Sequence, residues 1–394
     1  MVIKRIRYYI FLKDVALLAF TAFGGPQAHM GMFISHLVKK RGYLKEEELL
    51  ELFALCQILP GPTSTQTITA IGYKIGGAKL AYLTLFVWII PAVTIMITAG
   101  VLYNIIYDKG ASLNFTRFIQ PMAVGIVAFA AYQISIKVVN TKTGVLLMIL
   151  SGVAAYTLRS IGPFVFPIIL LISGFTTGFK YKNQPIEEKE KVKIDWSNFF
   201  LWAGFFVMLA VLGAVTKYRP ILLFENFYRN GSLIFGGGQV LIPLLLTEFV
   251  QFKHYLSDQE FLSGYSFVQA LPGPVFSFSA FVGSLSMREF GIGGEIVGGL
   301  LSAIGIFLPG TFLIFFVIRF WDNLKKYRVI RASLEGINAS SSGLVIAAAI
   351  LLFVPLPHTI DNYGVILGTI GLLFFTKIPT PFIILAGLLA GFIF

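Results

Sequence analysis

"CQILPGPTSTQ" (residues 56–66) puts two prolines and a glycine between two strongly apolar stretches. Glycine is favoured just past a helix end, and proline at the first position of the next helix. The stretch therefore predicts a helix ending near Leu59, a break, and a new helix starting at Pro62 or Thr63. The setting makes such a break consequential. Of 394 residues, 56% are hydrophobic and 13% charged, where a soluble domain carries roughly 25% charged residues. Mean hydropathy is +0.81, and runs such as "LAYLTLFVWIIPAVTIMITAGVLY" (80–103) exceed the roughly 20 apolar residues that cross a bilayer. The fold class is an all-α polytopic membrane protein. In lipid an unsatisfied backbone group costs several kcal/mol, so broken backbone is tolerated only where it is buried or lines a cavity.

The oddity recurs. "FGGP" (23–26) returns as "FGGG" (235–238), and "LPGP" (59–62) returns at 271–274, each 212 residues later. Between them "YLKEEELLELFALCQILPGP" (43–62) aligns without a gap on "YLSDQEFLSGYSFVQALPGP" (255–274), pairing Glu48 with Glu260 and Gln57 with Gln269. Gln27 pairs with Gln239, Pro91 with Pro309, and 117–128 with 328–339. This is an internal duplication: a first repeat over 1–179 and a second over 217–394, joined by the polar linker 180–195 and an unpaired apolar span at 196–216. An extra span between copies that each cross an even number of times turns the second copy over. Loop charge agrees. Lys4, Arg5, Arg7, Lys39, Lys40, Arg41, Lys45, Lys74, Lys79, Lys137 and Lys142 mark cytoplasmic loops of the first half. The loop 103–117 is weakly charged, yet its counterpart, "RFWDNLKKYRVIR" (319–331), is the most basic segment. The counterpart of 137–142, around "PLPHTIDNYG" (355–364), has no Lys or Arg. Swapped charge is what an inverted repeat predicts; Lys217 and Arg219 run against it. The reading is a multi-pass protein of the cytoplasmic (inner) membrane with its N-terminus in the cytoplasm. The first residues show no cleavable signal.

The apolar pieces around the breaks (8–23, 26–38, 48–59, 62–73) are mostly too short to span alone and read as half-helices in hairpins or broken spans. Half-helix N-termini expose N–H groups with partial positive charge, a ready anion site. Thr63, Ser64, Thr65 and Gln66 add donors after the first LPGP, and Gln27 and His29 after FGGP. Their second-half counterparts, Val275, Phe276, Ser277 and Phe278, are less polar. Ionisable groups at membrane depth default to function, and here they are Asp14, His29, His36, Glu48, Arg229, Glu248, Glu260 and Glu335. His29, Glu48 and Glu260 are the coupling candidates. Glu48 and Glu260 also suit a capping role at segment ends, His29 a buried structural one, and Glu335 a pair with Arg331. The net charge of +12 fits cytoplasmic loops better than nucleic acid. A lone Cys56 excludes an intrachain disulfide and a multi-cysteine metal site. No cofactor is expected.

"FGGPQAHMGMF", "CQILPGPTSTQ", "FGGGQVLIPLL" and "VQALPGPVFSFSAFVG" together resemble the paired signatures of the chromate ion transporter family in its two-domain form, across essentially the whole chain. The resemblance implies a secondary transporter of oxyanions, with halves of opposite orientation. Carried over, its motif positions are Gly24, Gly25, Pro26, His29, Gln57, Pro60, Gly61, Pro62, Thr65 and Gln66, with Gly236, Gly237, Gly238, Pro243, Gln269, Pro272, Gly273 and Pro274 in the second half. With Gln27, Thr63, Ser64, Gln239 and Ser277 these make the expected substrate site.

The expected function is secondary active transport of a tetrahedral dianion, chromate by efflux, with sulfate or another oxyanion as the alternative. No GxxxxGK[ST] is present, so an ion gradient or the membrane potential supplies the energy, with the proton as candidate coupling ion. The expected partners are the oxyanion and the lipid bilayer; homodimerisation is left open. A channel is a further alternative. A membrane-embedded hydrolase lacks HExxH and GxSxG; His29 and His36 could share a helix face, while His254 and His358 fall in loops.

Overall fold

A computed structural model describes residues 2–23, 25–108, 117–162, 165–180, 196–235, 238–319, 327–376 and 378–393. The linker 180–195 therefore lies almost wholly outside the described residues, as do Gly24, Gly236 and Gly237. The described residues are mostly helical, with no strand among them. Among the described residues, six helices are long and apolar enough to cross a membrane, by length and composition: Thr63–Ile106, Ile119–Ile136, Lys142–Ile161, Ser197–Thr216, Arg288–Val317 and Ala332–Phe353. The chain is a multi-pass membrane protein.

The duplication reaches individual hydrogen bonds. Helices α1 (Val2–Thr21) and α2 (Gly25–Phe33) lead into a π-helix, Ile34–Lys40, and then α3 (Glu46–Ile58). A second π-helix, Leu246–Phe252, and α11 (Asp258–Ala270) lie 212 residues farther on, boundary for boundary. Both π-helices close the same way. Arg41 N donates to His36 O and Lys253 N to Glu248 O, one residue wider than α-helical bonds; Tyr43 N reaches Leu37 O and Tyr255 N reaches Phe249 O. π-Turns are rare, so two in identical register mark one ancestral unit.

The chain forms two compact units, Met1–Asp108 with Asp195–Ser232 and Phe267–Arg319, and Lys109–Ile194 with Leu233–Ser266 and Phe320–Phe394. Each takes segments from both halves of the sequence. In the second unit α5 (Ile119–Val138), α6 (Lys142–Leu158) and α7 (Val165–Gly178) pack with α14 (Arg328–Phe353), α15 (Ile360–Phe375) and α16 (Thr380–Ile393). Lipid tails supply no hydrophobic drive between helices, so small and hydroxyl residues hold them together. Ser340 meets Ser151 at 2.7 Å, and Ser342 meets Ser135 at 2.6 Å. Glu335 accepts from Thr141; its expected partner, the Arg331 side chain, lies outside the described residues. The π-helix Leu246–Phe252 belongs to this unit, and its fully buried Glu248 is paired with Lys253 at 3.0 Å.

The first unit holds α1 to α4 (Thr63–Asp108), the extra span α8 (Ser197–Thr216), α9 (Arg219–Leu233) up to Ser232, the short turn Val275–Ser277, α12 (Phe278–Ser286) and α13 (Gly291–Val317). Drawn straight, α4 would be about 69 Å long, against a hydrocarbon core of about 30 Å. It does not run straight. Gly77 has φ 72° and ψ −168°, and folds it into two limbs. A Cβ on Gly72 would lie 2.4 Å from Thr84 Oγ1, although residues twelve apart in a straight helix are about 18 Å apart. Gly291 has φ 68° at the start of α13, the matching place in the second half.

Candidate functional site

Helix α3 has 13 residues, about 20 Å, so it falls short of a span. It ends at Ile58, where Leu59 turns extended (ψ 147°), and Gly61 follows with φ 117°. The next helix begins at Thr63, and Gln66 N closes its first turn on Pro62 O at 2.8 Å. The ends expected from the sequence are thus found within a residue. At the other end Glu48, in the first turn of α3, meets Lys74, in the last turn of the limb after the break, at 2.6 Å. The ends of both arms touch, so α3 and the first limb of α4 form a hairpin with LPGP at its tip. The FGGP break starts slightly earlier than expected, with α1 ending at Thr21 and α2 opening at Gly25 (φ 75°).

Each LPGP tip seats on the proline-bearing helix of the other half. A Cβ on Gly61 would sit 3.3 Å from Gly310 Cα and 3.1 Å from Gln66 Nε2. A Cβ on Gly273 (φ 108°) would sit 3.0 Å from Ala92 Cβ. Pro91 and Pro309, which stand beside these contacts, lie inside long helices at matched places. Gln66 clamps the first junction, donating through Nε2 to Pro60 O at 2.8 Å and to Gly310 O at 3.2 Å. Ala22 O clamps the second, accepting from Gly273 N at 2.7 Å and from His29 Nε2 at 3.2 Å.

These clamps converge through Trp88. Its ring is fully buried, lies edge-on to His29 with centroids 5.5 Å apart, and donates from Nε1 to Thr65 Oγ1 at 3.2 Å. The structure thus brings Gly25, His29, Pro60, Gly61, Pro62, Thr63, Ser64, Thr65, Gln66 and Gly273 into one compact unit. From His29 and from Pro60 to Gln66 every residue is buried. A helix starting at Thr63 has no carbonyl one turn back for its first amides. Pro60 and Pro62 have no N–H, and Pro62 O is already taken by Gln66. The tip therefore presents amide and hydroxyl donors in a buried place, the chemistry of an anion site. On the second LPGP, Pro274 is buried and Pro272 partly so. There Ser277 donates its hydroxyl back to Pro274 O at 2.8 Å. Its neighbours Phe276 and Phe278 are buried apolar rings, so that tip is the poorer in donors.

Other expected residues fall elsewhere. Gln57 faces outward on α3, and Gln269 is half-buried. Pro26, Gln27, Gly238 and Gln239 lie at the starts of α2 and α10 (Gly238–Leu245), and Pro243 lies inside α10. Glu48 and Glu260 sit at the N-terminal ends of their helices, where each caps one: Lys45 N donates to Glu48 Oε2 at 2.9 Å, and Ser257 N to Glu260 Oε2 at 2.7 Å. Lys74 and the Lys45 amide hold the Glu48 carboxyl below its ordinary range. His36 does not share a site with His29. It joins Arg41 and Tyr43 on the buried Asp14, at 3.1, 2.7 and 2.6 Å, tying α1 to the turn after the π-helix.

Sequence reasoning passed over Ala22, whose backbone oxygen does the work, and Trp88, one aromatic in an apolar run. It also missed Gly310, whose only signal was its place after Pro309. No group of three or more metal-ligating side chains occurs among the described residues.

The chromate transporter family model matches the chain twice, over residues 10–179 and 221–392. The chain belongs to the chromate transporter family. Among proteins similar to it, a probable chromate transport protein of Synechococcus elongatus is 26% identical over 100% of this chain and 95% of its own. The chromate transport protein of Cupriavidus metallidurans is 24% identical over 94% of this chain and 89% of its own. An uncharacterized transporter of Bacillus subtilis is 25% identical over 43% of this chain and 87% of its own, about one copy of the repeat. No solved structure matches.

Proposed function

We propose that this member of the chromate transporter family is a secondary active transporter that moves chromate out of the cell, with the anion held at the first LPGP tip. The observation that carries the reading is the tip itself. A hairpin too short to span ends in a buried break whose next helix opens on Thr63, Ser64 and Thr65. Such an end replaces the water of an oxyanion with amide and hydroxyl donors. Membership of the family and the names of the full-length relatives support chromate as cargo.

In this reading the repeats run over 1–179 and 217–394 with opposite orientation, connected by a cytoplasmic linker and the span at 196–216. The swap of basic loops between the halves supports it, as does the cross-seating of each LPGP on the other half's proline helix. The basic residues at the start of the chain support a cytoplasmic N-terminus in the inner membrane. The membrane potential, negative inside, drives an anion outward, and the two repeats alternate access around the tip.

The test is labelled chromate uptake into proteoliposomes under an imposed potential, for the wild type and Gly61→Val. Saturable, potential-driven flux that the folded variant loses supports the reading. No chromate flux under any gradient in folded protein overturns it, and flux that never saturates makes the protein a channel.

A further inference from the structure

Two buried side chains, Gln66 at the first junction and His29 at the second, have their donor ends fixed, and this leaves acceptors behind. Gln66 is 2% exposed. Its Nε2 serves two carbonyls, Pro60 O and Gly310 O, and only an amide NH2 can do that. The orientation is settled, and Oε1 is left as a buried acceptor with no partner among the described residues. His29 is 0% exposed. Its Nε2 faces Ala22 O, so Nε2 carries the proton. Nδ1 is then the second buried acceptor without a partner. The two groups flank one element: Gln66 follows Thr65 in the chain, and the His29 ring lies against Trp88, which donates to Thr65.

The charged groups on the elements around His29 do not alter this. On α1, Lys13 is exposed and Asp14 is held by His36, Arg41 and Tyr43. On the π-helix Lys39 and Lys40 are exposed, and His36 is committed to Asp14. On α4, Lys79 is exposed and Lys74 is paired with Glu48.

A bare dianion has no hydrogen to give. Two buried lone pairs repel it, and burying it costs about four times as much as a monoanion, since the Born cost grows as charge squared. A protonated oxyanion meets the site better. Its O–H donates to Gln66 Oε1 or His29 Nδ1, and its remaining oxygens accept from the half-helix amides. We infer that the transported species is the protonated monoanion, hydrogen chromate, and that His29 and Gln66 select it. This rests on the transport reading above and corrects the expectation of a dianion. It also supplies a basis for discrimination. Chromate takes up its first proton near neutrality, whereas sulfate does so only in strong acid. A site that demands a hydrogen bond from its substrate rejects an analogue lacking the donor far better than shape alone can.

The test is the pH dependence of chromate uptake into proteoliposomes at fixed membrane potential, with sulfate as competitor. A site that accepts only the protonated form has an apparent KM scaled by the inverse of that fraction. The KM for total chromate is therefore expected to rise about tenfold per pH unit above neutrality with kcat unchanged. Sulfate should compete roughly a hundredfold worse or weaker still. His29→Gln can keep both the donor to Ala22 and an acceptor, and should keep the slope. His29→Phe keeps a ring but no acceptor, and should flatten the slope and admit sulfate. A wild-type KM for total chromate that does not change with pH, or sulfate competing on equal terms, overturns the inference while leaving the transporter standing. Absence of any flux overturns both.

Discussion

Gly273 N donates to Ala22 O at 2.7 Å across 251 positions of sequence. This bond joins the FGGP break of the first half to the LPGP break of the second, and His29 completes it by donating to the same oxygen. A helix end that lipid would not tolerate open is closed by the other copy of the repeat. The breaks are therefore mutually dependent, and disturbing either should be felt at both.

Gly61 and Gly25 separate strain from crowding. Both have φ in the left-handed region, but a Cβ at Gly25 meets nothing within 4 Å while one at Gly61 meets Gln66 and Gly310. Gly25→Ala should cost about 1–2 kcal/mol from conformation alone. Gly61→Ala should cost about 3 kcal/mol or more, because overpacking adds to it. Thermal unfolding in detergent compares the two.

Gln66→Leu fills the same space but leaves Pro60 O without its donor and removes the tie to Gly310 O, which keeps its place inside the helix Gly291–Val317. The buried orphan costs about 1–3 kcal/mol, so the variant should unfold below the wild type. Gln66→Glu should do no better above the carboxylate range, since it also has no N–H to give.

Trp88→Phe keeps an aromatic edge against His29 and gives up the bond to Thr65. A loss of about 1 kcal/mol is expected, with a larger loss for Trp88→Ala from the cavity. Melting curves of the two variants check the order.

Glu48 tests capping against coupling. Its folded pKa lies below the ordinary carboxyl value, so its contribution to stability is present above the unfolded pKa and is lost as pH falls through the folded one. Glu48→Gln should lower the melting temperature slightly and evenly at neutral pH. The difference from wild type should close in acid, below the ordinary carboxylate range. The pH profile of transport should not move in Glu48→Gln or Glu260→Gln.

Much of this was legible because glycine and proline act locally. The end of α3 and the start of α4 followed from LPGP alone, and the 212-residue repeat carried each boundary into the second half. The hairpin at Gly77 was hidden, because a single left-handed glycine inside a 46-residue helical stretch leaves no mark on hydropathy. What the tips touch was also out of reach. The contact of Gly61 with Gly310 is set by packing between segments far apart in sequence. The seats of Glu48 and Glu260 were seen, but only the hydrogen bonds to Lys45 N and Ser257 N show what they do there.

The measurement that bears most directly on the central claim is calorimetric titration of chromate into purified protein, wild type against the double variant Ser64→Ala, Thr65→Val. Both replacements keep the helix and nearly keep the volume, while removing two hydroxyls from the tip. The account predicts saturable binding to the wild type and at least tenfold weaker binding to a double variant that still folds, about 1.4 kcal/mol. Equal affinity in the two proteins would contradict it and move the anion away from the first LPGP tip.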